Sequence, residues 1–239
     1  MTEDRPRIVV TVAAPVEAVW DALRDKEKIR HWHGWEYQGA EGGLEEEIDL
    51  IYFTRVNADE ESATLTLGDG DQFVVEPVEG GSRITLTRAA YGDNPEWDAY
   101  YDDITEGWIT FLQQLRFALE HHPGETRRTL FYSGAGARSA IEELGISPQP
   151  AGTPYELELI GEQVKGEVWF TSEHQIGLSV DGWGNGLLVL SHVPPGEKKP
   201  EGASMAVLSL YGDVDREALD QRWKTWWEAR YPAPLDLGG

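Results

Sequence analysis

Two histidines flank a tryptophan in the run His31-Trp32-His33, and a second tryptophan follows at Trp35. Residues two apart on a strand share a face, so the two imidazoles could form a metal-binding pair. No third ligand with the usual spacing lies nearby. We therefore predict a loop anchored by Trp32 and Trp35, and no metal site.

Acidic side chains gather in two places. Glu45–Glu47 forms a run at the entrance of a predicted strand, and paired carboxylates can act as acid and base when their surroundings separate their pKa values. Neighbours on a strand alternate faces, however, which favours a solvated run. Asp98, Asp102 and Asp103 lie at the start of a predicted helix, where acidic groups complement the helix dipole.

The common motifs for phosphate binding and nucleophilic catalysis are incomplete in this sequence. Gly182–Gly186 is rich in glycine, but neither Lys-[Ser/Thr] nor a helix follows it, so we predict a hairpin turn. Ser133–Gly136 departs from the Gly-x-Ser-x-Gly pattern of hydrolases. His174 and His192 fall in neighbouring strand candidates and could face each other across a hairpin. We predict no catalytic residue and no cofactor.

Composition limits the partners. The 239 residues include 43 acidic and 20 basic side chains, for a formal net charge of -23. Such a surface disfavours nucleic acid, which is bound through Lys and Arg, and it disfavours anionic membranes. The absence of cysteine excludes disulfides and thiolate zinc sites. With neither an apolar signal core nor a window of ~18 apolar residues, we expect a cytoplasmic protein.

The first half of the sequence is typical of a strand, two helices, an antiparallel sheet and a long helix. Apolar residues at helical spacing follow Ala14-Pro15, at Val16, Val19, Trp20 and Leu23. The predicted strands are Arg7–Val12, Leu44–Phe53, Ala63–Leu67, Gln72–Val78 and Arg83–Arg88, and the other predicted helices are Lys26–Trp32 and Trp97–Glu120.

The second half repeats this order. Arg128–Ser133 matches Arg7–Val12 at a spacing of 121 residues, and Ala137, Ala140, Ile141 and Leu144 repeat the helical stripe at the same spacing. The final helix, about Asp215 to Arg230, carries Trp223-Lys-Thr-Trp-Trp227, which matches Trp108-Ile-Thr-Phe-Leu112. We predict two domains, 1–122 and 126–239, and equivalent positions for Trp108 and Trp223.

Some of these residues carry a family resemblance. Ala14-Pro15 followed by Trp20, the Trp-rich patch His31–Trp35 and the closing Gly107-Trp108-x-x-x-Leu112 resemble the START and birch-pollen-allergen-like superfamily. Within it, the sequence is most similar to the branch of activators of a heat-shock-protein ATPase. The resemblance implies an α+β helix-grip fold, in which a curved antiparallel sheet wraps around a long C-terminal helix. The second copy is divergent, because Ser147–Thr153 replaces the Trp-rich patch.

The resemblance implies a cavity without naming its ligand. We predict binding of a small, apolar, neutral molecule in the first copy, with no nucleic acid or membrane partner. The predicted walls are Trp32, Trp35, Tyr52, Phe73, Trp97, Tyr101 and Trp108. Two alternatives stay open. One is a cyclase or aromatase-like enzyme that uses His174, His192, Tyr101 or Asp103, and the other is a co-chaperone-like module that binds a protein partner.

Overall fold

A computed structural model describes residues 5–36, 43–92, 101–197 and 199–233. The chain divides into two compact units, Met1–Glu125 and Thr126–Gly239, named here the N-terminal unit and the C-terminal unit. Both are α+β and contain one antiparallel sheet, so the predicted α+β class is confirmed.

The described residues of the N-terminal unit form five strands and four helices. Its sheet has the order β1-β5-β4-β3-β2, so the first strand lies beside the last and the others follow as a meander. The elements are β1 Arg7–Val12, α1 Val16–Arg24, α2 Lys26–Ile29, α3 Gly43–Phe53, β2 Asn57–Asp59, β3 Thr64–Thr66, β4 Gln72–Val78, β5 Gly81–Thr87 and α4 Tyr101–His121.

The C-terminal unit has six strands in the order β6-β11-β10-β9-β8-β7, again with its first strand beside its last. A short 3₁₀ helix, Asp181–Trp183, connects β9 to β10. The elements are β6 Arg128–Ala135, α5 Ala140–Glu143, β7 Pro154–Leu159, β8 Glu162–Thr171, β9 Gln175–Val180, β10 Gly186–Val193, β11 Ala203–Leu210 and α6 Arg216–Glu228.

In each unit a long helix covers the sheet through a tryptophan. Trp108 on α4 is 4% exposed and packs against Phe73 of β4, with ring centroids 5.3 Å apart. Trp223 on α6 is 1% exposed and stacks on Tyr132 of β6 at 5.9 Å. Both tryptophans are therefore buried between helix and sheet, the arrangement of a helix-grip-like fold.

One strand prediction is wrong. Leu44–Phe53 forms the helix α3, Gly43–Phe53. Its β-branched and aromatic residues favour a strand on composition. Its burial instead follows the helical period, because Ile48 and Tyr52 are buried four residues apart and Leu44 packs on the same core.

The predicted spacing of 121 residues between the first strands is also wrong by one. It would match the buried Val10 with Phe131, which is only half-buried, whereas Leu130 and Tyr132 are buried. A shift of one residue on a strand moves every side chain to the other face. The predicted spacing therefore matches opposite faces of the two strands.

Candidate functional site

His33 lies in the turn that follows α2. The turn is closed by hydrogen bonds from the backbone N–H groups of Trp32 and His33 to the carbonyl of Ile29, at 3.1 and 2.8 Å. Gly34 comes next with a φ of 56°, and a Cβ at this position would lie 2.8 Å from Cδ1 of Leu44. Glycine thus allows the left-handed turn and lets α3 approach the His33 loop closely.

A chain of hydrogen bonds connects His33 to α3. His33 Nε2 lies 3.1 Å from Oε1 of Glu47, and the Tyr52 hydroxyl lies 3.0 Å from His33 Nδ1. A carboxylate only accepts, so Nε2 carries the proton, and in the neutral imidazole Nδ1 accepts from Tyr52. His33 is fully buried, whereas the Glu47 side chain is 47% exposed. This chain, the Glu47–His33–Tyr52 relay, leads from a buried hydroxyl to solvent.

Aromatic rings surround the imidazole. Phe111 of α4 is nearest, with its ring centroid 4.5 Å from that of His33. The other rings are those of Tyr52 at 5.1 Å, Trp32 at 5.7 Å and Trp108 at 6.0 Å. The relay therefore runs through the aromatic cluster that joins the His33 loop, α3 and α4.

Burial holds the Tyr52 hydroxyl in its protonated form. Burial raises the pKa of Tyr52 well above its ordinary value, and the nearby charges of Glu47, Asp69 and Asp71 raise it further. At neutral pH the hydroxyl therefore acts as a hydrogen-bond donor and not as a base.

A buried ion pair lies in the same unit. Arg88 Nε donates to both carboxylate oxygens of Asp71, at 3.0 and 2.9 Å, and the two side chains are 4% and 0% exposed. The backbone N–H of Ala89 also donates to Asp71 at 2.7 Å, and Arg88 Nη1 donates to Thr105 Oγ1 at 2.6 Å. These contacts tie β5 and the start of α4 to the turn before β4.

The structure brings together most of the predicted wall residues. Trp32, Tyr52, Phe73 and Trp108 are buried and connected by ring contacts, with Tyr52 5.8 Å from Trp32 and 6.4 Å from Trp108. Their rings pack against one another. The fifth residue, Trp35, joins the cluster through Phe111, at 5.8 Å.

Two predicted wall residues cannot be placed in this way. Trp97 lies outside the described residues. Tyr101 is the first residue of α4, and its side chain is likewise outside the described part of the chain. The predicted ligand site stays a prediction for all seven residues.

The four residues considered for acid–base chemistry are divided between the two units. Tyr101 and Asp103 belong to the N-terminal unit, whereas His174 and His192 belong to the C-terminal unit. His174 directly precedes β9, and the backbone N–H of His192 on β10 donates to its carbonyl at 2.8 Å, so the two histidines face each other across the hairpin as predicted. Burial lowers the pKa of His192, whose Nδ1 lies 2.9 Å from Ser204 Oγ.

The residues that the structure describes contain no group of three or more His, Asp or Glu side chains placed to hold a metal ion. Within the same residues, no helix has the length and apolar character needed to cross a membrane.

The contact of His33 with Glu47 and Tyr52 is not predicted from the sequence. With Leu44–Phe53 interpreted as a strand, Glu47 and Tyr52 would point to opposite faces. The signal that could have found the contact is the helical spacing of Leu44, Ile48 and Tyr52, which places α3 beside the His33 loop.

Comparison with known proteins yields only distant likenesses. No protein-family model matches the chain, and no curated protein matches it. Among solved structures, DynU16 from the dynemicin biosynthetic locus is 19% identical, covering 95% of this chain and 96% of that chain, with a TM-score of 0.35. The di-domain ARO/CYC BexL from the BE-7585A biosynthetic pathway is 11% identical, covering 94% and 93%, with a TM-score of 0.37.

A third structure, SSP2350 from Staphylococcus saprophyticus, is 24% identical and covers 48% of this chain and 92% of that chain, with a TM-score of 0.34. At these TM-scores none of the likenesses supports a conclusion about this chain. The narrower resemblance to activators of a heat-shock-protein ATPase stays a prediction.

Proposed function

We propose that the N-terminal unit binds a small, apolar, neutral molecule between α4 and the sheet. The observation that supports this function is the position of His33 and Tyr52, two polar groups inside an aromatic cluster. Ligand sites in proteins are mostly apolar and contain a few polar groups that orient the ligand. A ligand carbonyl would replace His33 Nδ1 as the acceptor of the hydrogen bond from Tyr52.

The charges around the cluster favour a neutral ligand. Glu47, Asp69 and Asp71 lie close enough to raise the pKa of Tyr52, and the whole chain carries -23. An anion would meet an unfavourable field on entry. Because the rings already contact one another, a ligand must separate them, and the fluorescence of Trp32 and Trp108 should change when it binds.

Prodan, a neutral fluorescent naphthalene that carries one ketone, tests this proposal on the full chain. We expect saturable binding, with a blue shift as the probe leaves water. Tyr52→Phe keeps the ring and removes the hydroxyl, so it should weaken binding about tenfold, the value of one hydrogen bond of about 1.4 kcal/mol. Tyr132→Phe is the matched control in the C-terminal unit, since Tyr132 is also a buried tyrosine with a hydrogen-bonded hydroxyl. Equal effects of the two changes, or no saturation, would contradict the proposal.

The Glu47–His33–Tyr52 relay favours a second candidate function, that of a cyclase or aromatase-like enzyme. An intramolecular aldol step on a poly-β-ketone forms a carbon–carbon bond between an α-carbon and a carbonyl carbon. The α-carbon gives its proton to a base, and the carbonyl oxygen receives one from an acid. Tyr52 can donate that proton, and His33 Nδ1 can accept the α-proton and return it to the Tyr52 oxygen, while Glu47 accepts from Nε2 and stabilises the imidazolium.

A short poly-β-ketone thioester separates this enzyme from a binding protein. An enzyme that uses the relay should lose at least about tenfold in kcat on Glu47→Gln, which keeps the shape and removes the charge, at nearly unchanged substrate affinity. Glu46→Gln is the neighbouring control, because Glu46 is exposed on the same helix turn. Formation of the cyclised product at the same rate by both variants would exclude relay catalysis.

The duplication belongs to the same proposal. Each sheet places its first strand beside its last and continues as a meander, which supports two tandem helix-grip domains, 1–122 and 126–239. Residues 123–126 are exposed, which favours early cleavage beside Pro123-Gly124 in limited proteolysis. First cuts inside either sheet would argue against this boundary.

A further inference from the structure

The outer edge of β1 is open. Among the residues that the structure describes, β1 pairs with β5 alone. The hydrogen bond from Arg88 N to the carbonyl of Pro6, at 3.0 Å, fixes which backbone groups face β5. The backbone N–H and C=O groups of successive residues on an antiparallel strand point in alternate directions. Those of Ile8 and Val10 therefore point toward β5, and those of Val9 and Thr11 point outward.

The outward backbone groups of Val9 and Thr11 have no hydrogen-bond partner among the residues that the structure describes. The Val9 side chain is 55% exposed. Only the end of this edge is closed, where the N–H of Ala13 donates to Oε1 of Glu120 at 2.8 Å. An unpaired strand edge of this kind is a template for another strand.

A groove runs along this edge. One depression of about 360 Å³ lies between Val9–Thr11 and the α4 side chains Gln113, Arg116 and Glu120. A second, of about 450 Å³, continues past Pro15 at the start of α1. The two share Ala13 and Gly80 as walls, so the groove has a strand on one side, a helix on the other, and small residues where they meet.

The corresponding edge of the C-terminal unit already carries an extended segment. Ala135, the last residue of β6, donates its N–H to the carbonyl of Ala233 at 3.0 Å in an antiparallel bridge. Tyr231 lies against the same strand, and a Cβ at Gly134 would come within 2.5 Å of the Tyr231 Cβ. In that unit the first strand's outer edge therefore accepts the chain that follows the last helix.

We propose that the outer edge of β1 binds an extended, basic segment of a partner protein as an added antiparallel strand. Main-chain hydrogen bonds to Val9 and Thr11 supply affinity, and the α4 wall contacts alternate side chains of the segment. The net charge of -23 attracts a basic segment. The same charge opposes pairing with a second copy of this chain.

Two N-methylated peptides test the pairing on the unmodified full chain. The probe is a labelled peptide that alternates Lys and Val and has the length of β1, 6 residues. One version is N-methylated at every lysine and the other at every valine, so each version lacks the N–H groups along one edge of the extended peptide only. We expect one version to bind as tightly as the parent and the other at least about tenfold more weakly, as for a lost hydrogen bond. Equal binding by both, or no saturation up to about 1 mM, would overturn the proposal.

Two protein variants locate the site. Val9→Pro removes the outward N–H, and proline is tolerated on a strand edge that faces away from its neighbour. Val9→Thr keeps that N–H and is the control. We expect Val9→Pro to weaken peptide binding at least about tenfold, as for a lost hydrogen bond, while Val9→Thr keeps it, and the bound peptide should slow hydrogen exchange at the Val9 and Thr11 amides. If Val9→Pro fails to fold, the binding of the two N-methylated peptides and the amide exchange rates of the unmodified chain still test the proposal. If a dimer of this chain forms and competes with the peptide, the edge binds a second copy of the chain and the assignment to a partner protein is wrong.

Discussion

Both units place the first strand of the sheet beside the last, but they differ in how buried indole N–H groups are satisfied. In the N-terminal unit, Trp32 Nε1 donates to the carbonyl of Ala22 at 2.8 Å, and Arg88 Nε donates to both carboxylate oxygens of Asp71. In the C-terminal unit, the buried Nε1 atoms of Trp183 and Trp227 have no acceptor among the described residues. The Trp32 indole N–H thus depends on a specific polar contact, whereas the indole N–H groups of Trp183 and Trp227 lie in apolar packing.

Breaking the buried ion pair should give the largest difference between the units. Asp71→Ala leaves the Arg88 guanidinium buried without its carboxylate, which typically costs about 3–5 kcal/mol of unfolding free energy. In the C-terminal unit, the pair of Arg222 and Glu162 is 46% and 29% exposed, so Glu162→Ala should cost no more than about 1 kcal/mol. Urea unfolding followed by amide exchange in each unit measures both. Similar losses would show that the N-terminal pair is not structurally important.

Removing the tryptophan that joins helix and sheet should cost both units about the same. Trp108→Ala and Trp223→Ala each truncate a buried ring and should each cost about 3–5 kcal/mol. Each change should lower the thermal midpoint of its own unit. A large loss for one variant and a small loss for the other would contradict the equivalence of the two positions.

The sequence predicts these helix positions well because their signal is local. Trp108 and Leu112 are four residues apart on one face of α4, and both are buried. A local pattern does not predict α3 as a helix, because its β-branched and aromatic composition favours a strand until its packing partners are known. The contact of His33 with Glu47 and Tyr52 depends on α3, so it could not be predicted without that helix. The pairing of Ala135 with Ala233 is equally non-local, since it joins two ends of the C-terminal unit.

Alkaline pH should separate the two units through their tyrosines. Because burial raises the pKa of Tyr52 in the folded state, its contribution to stability is complete below the unfolded value of about 10 and is lost as pH rises above it. The slope is about 1.4 kcal/mol per pH unit for each such group. Tyr52→Phe should remove this slope from the N-terminal unit.

Tyr132→Phe should only reduce the slope in the C-terminal unit. Burial also raises the pKa values of Tyr132, Tyr155 and Tyr231, so two such groups remain after the change. Unfolding free energies between pH 8 and 11, a range that brackets the unfolded tyrosine pKa of about 10, measure both variants. An unchanged slope after Tyr52→Phe would mean that the Tyr52 hydroxyl ionises without affecting folding.

The smallest expected effect concerns the indole N–H groups and sharpens the comparison of the two interiors. Trp32→Phe removes a donor and leaves the carbonyl of Ala22 buried without it, which costs about 1–3 kcal/mol beyond the loss of ring volume. Trp183→Phe removes a donor that has no acceptor among the described residues, so only the volume is lost. Both tryptophans are 1% exposed, which makes them a matched pair. Thermal unfolding of the two variants should therefore show a clearly larger shift for Trp32→Phe. An equal or larger shift for Trp183→Phe would mean that its N–H is satisfied in solution, for example by a buried water, and that the C-terminal interior also depends on a specific polar contact.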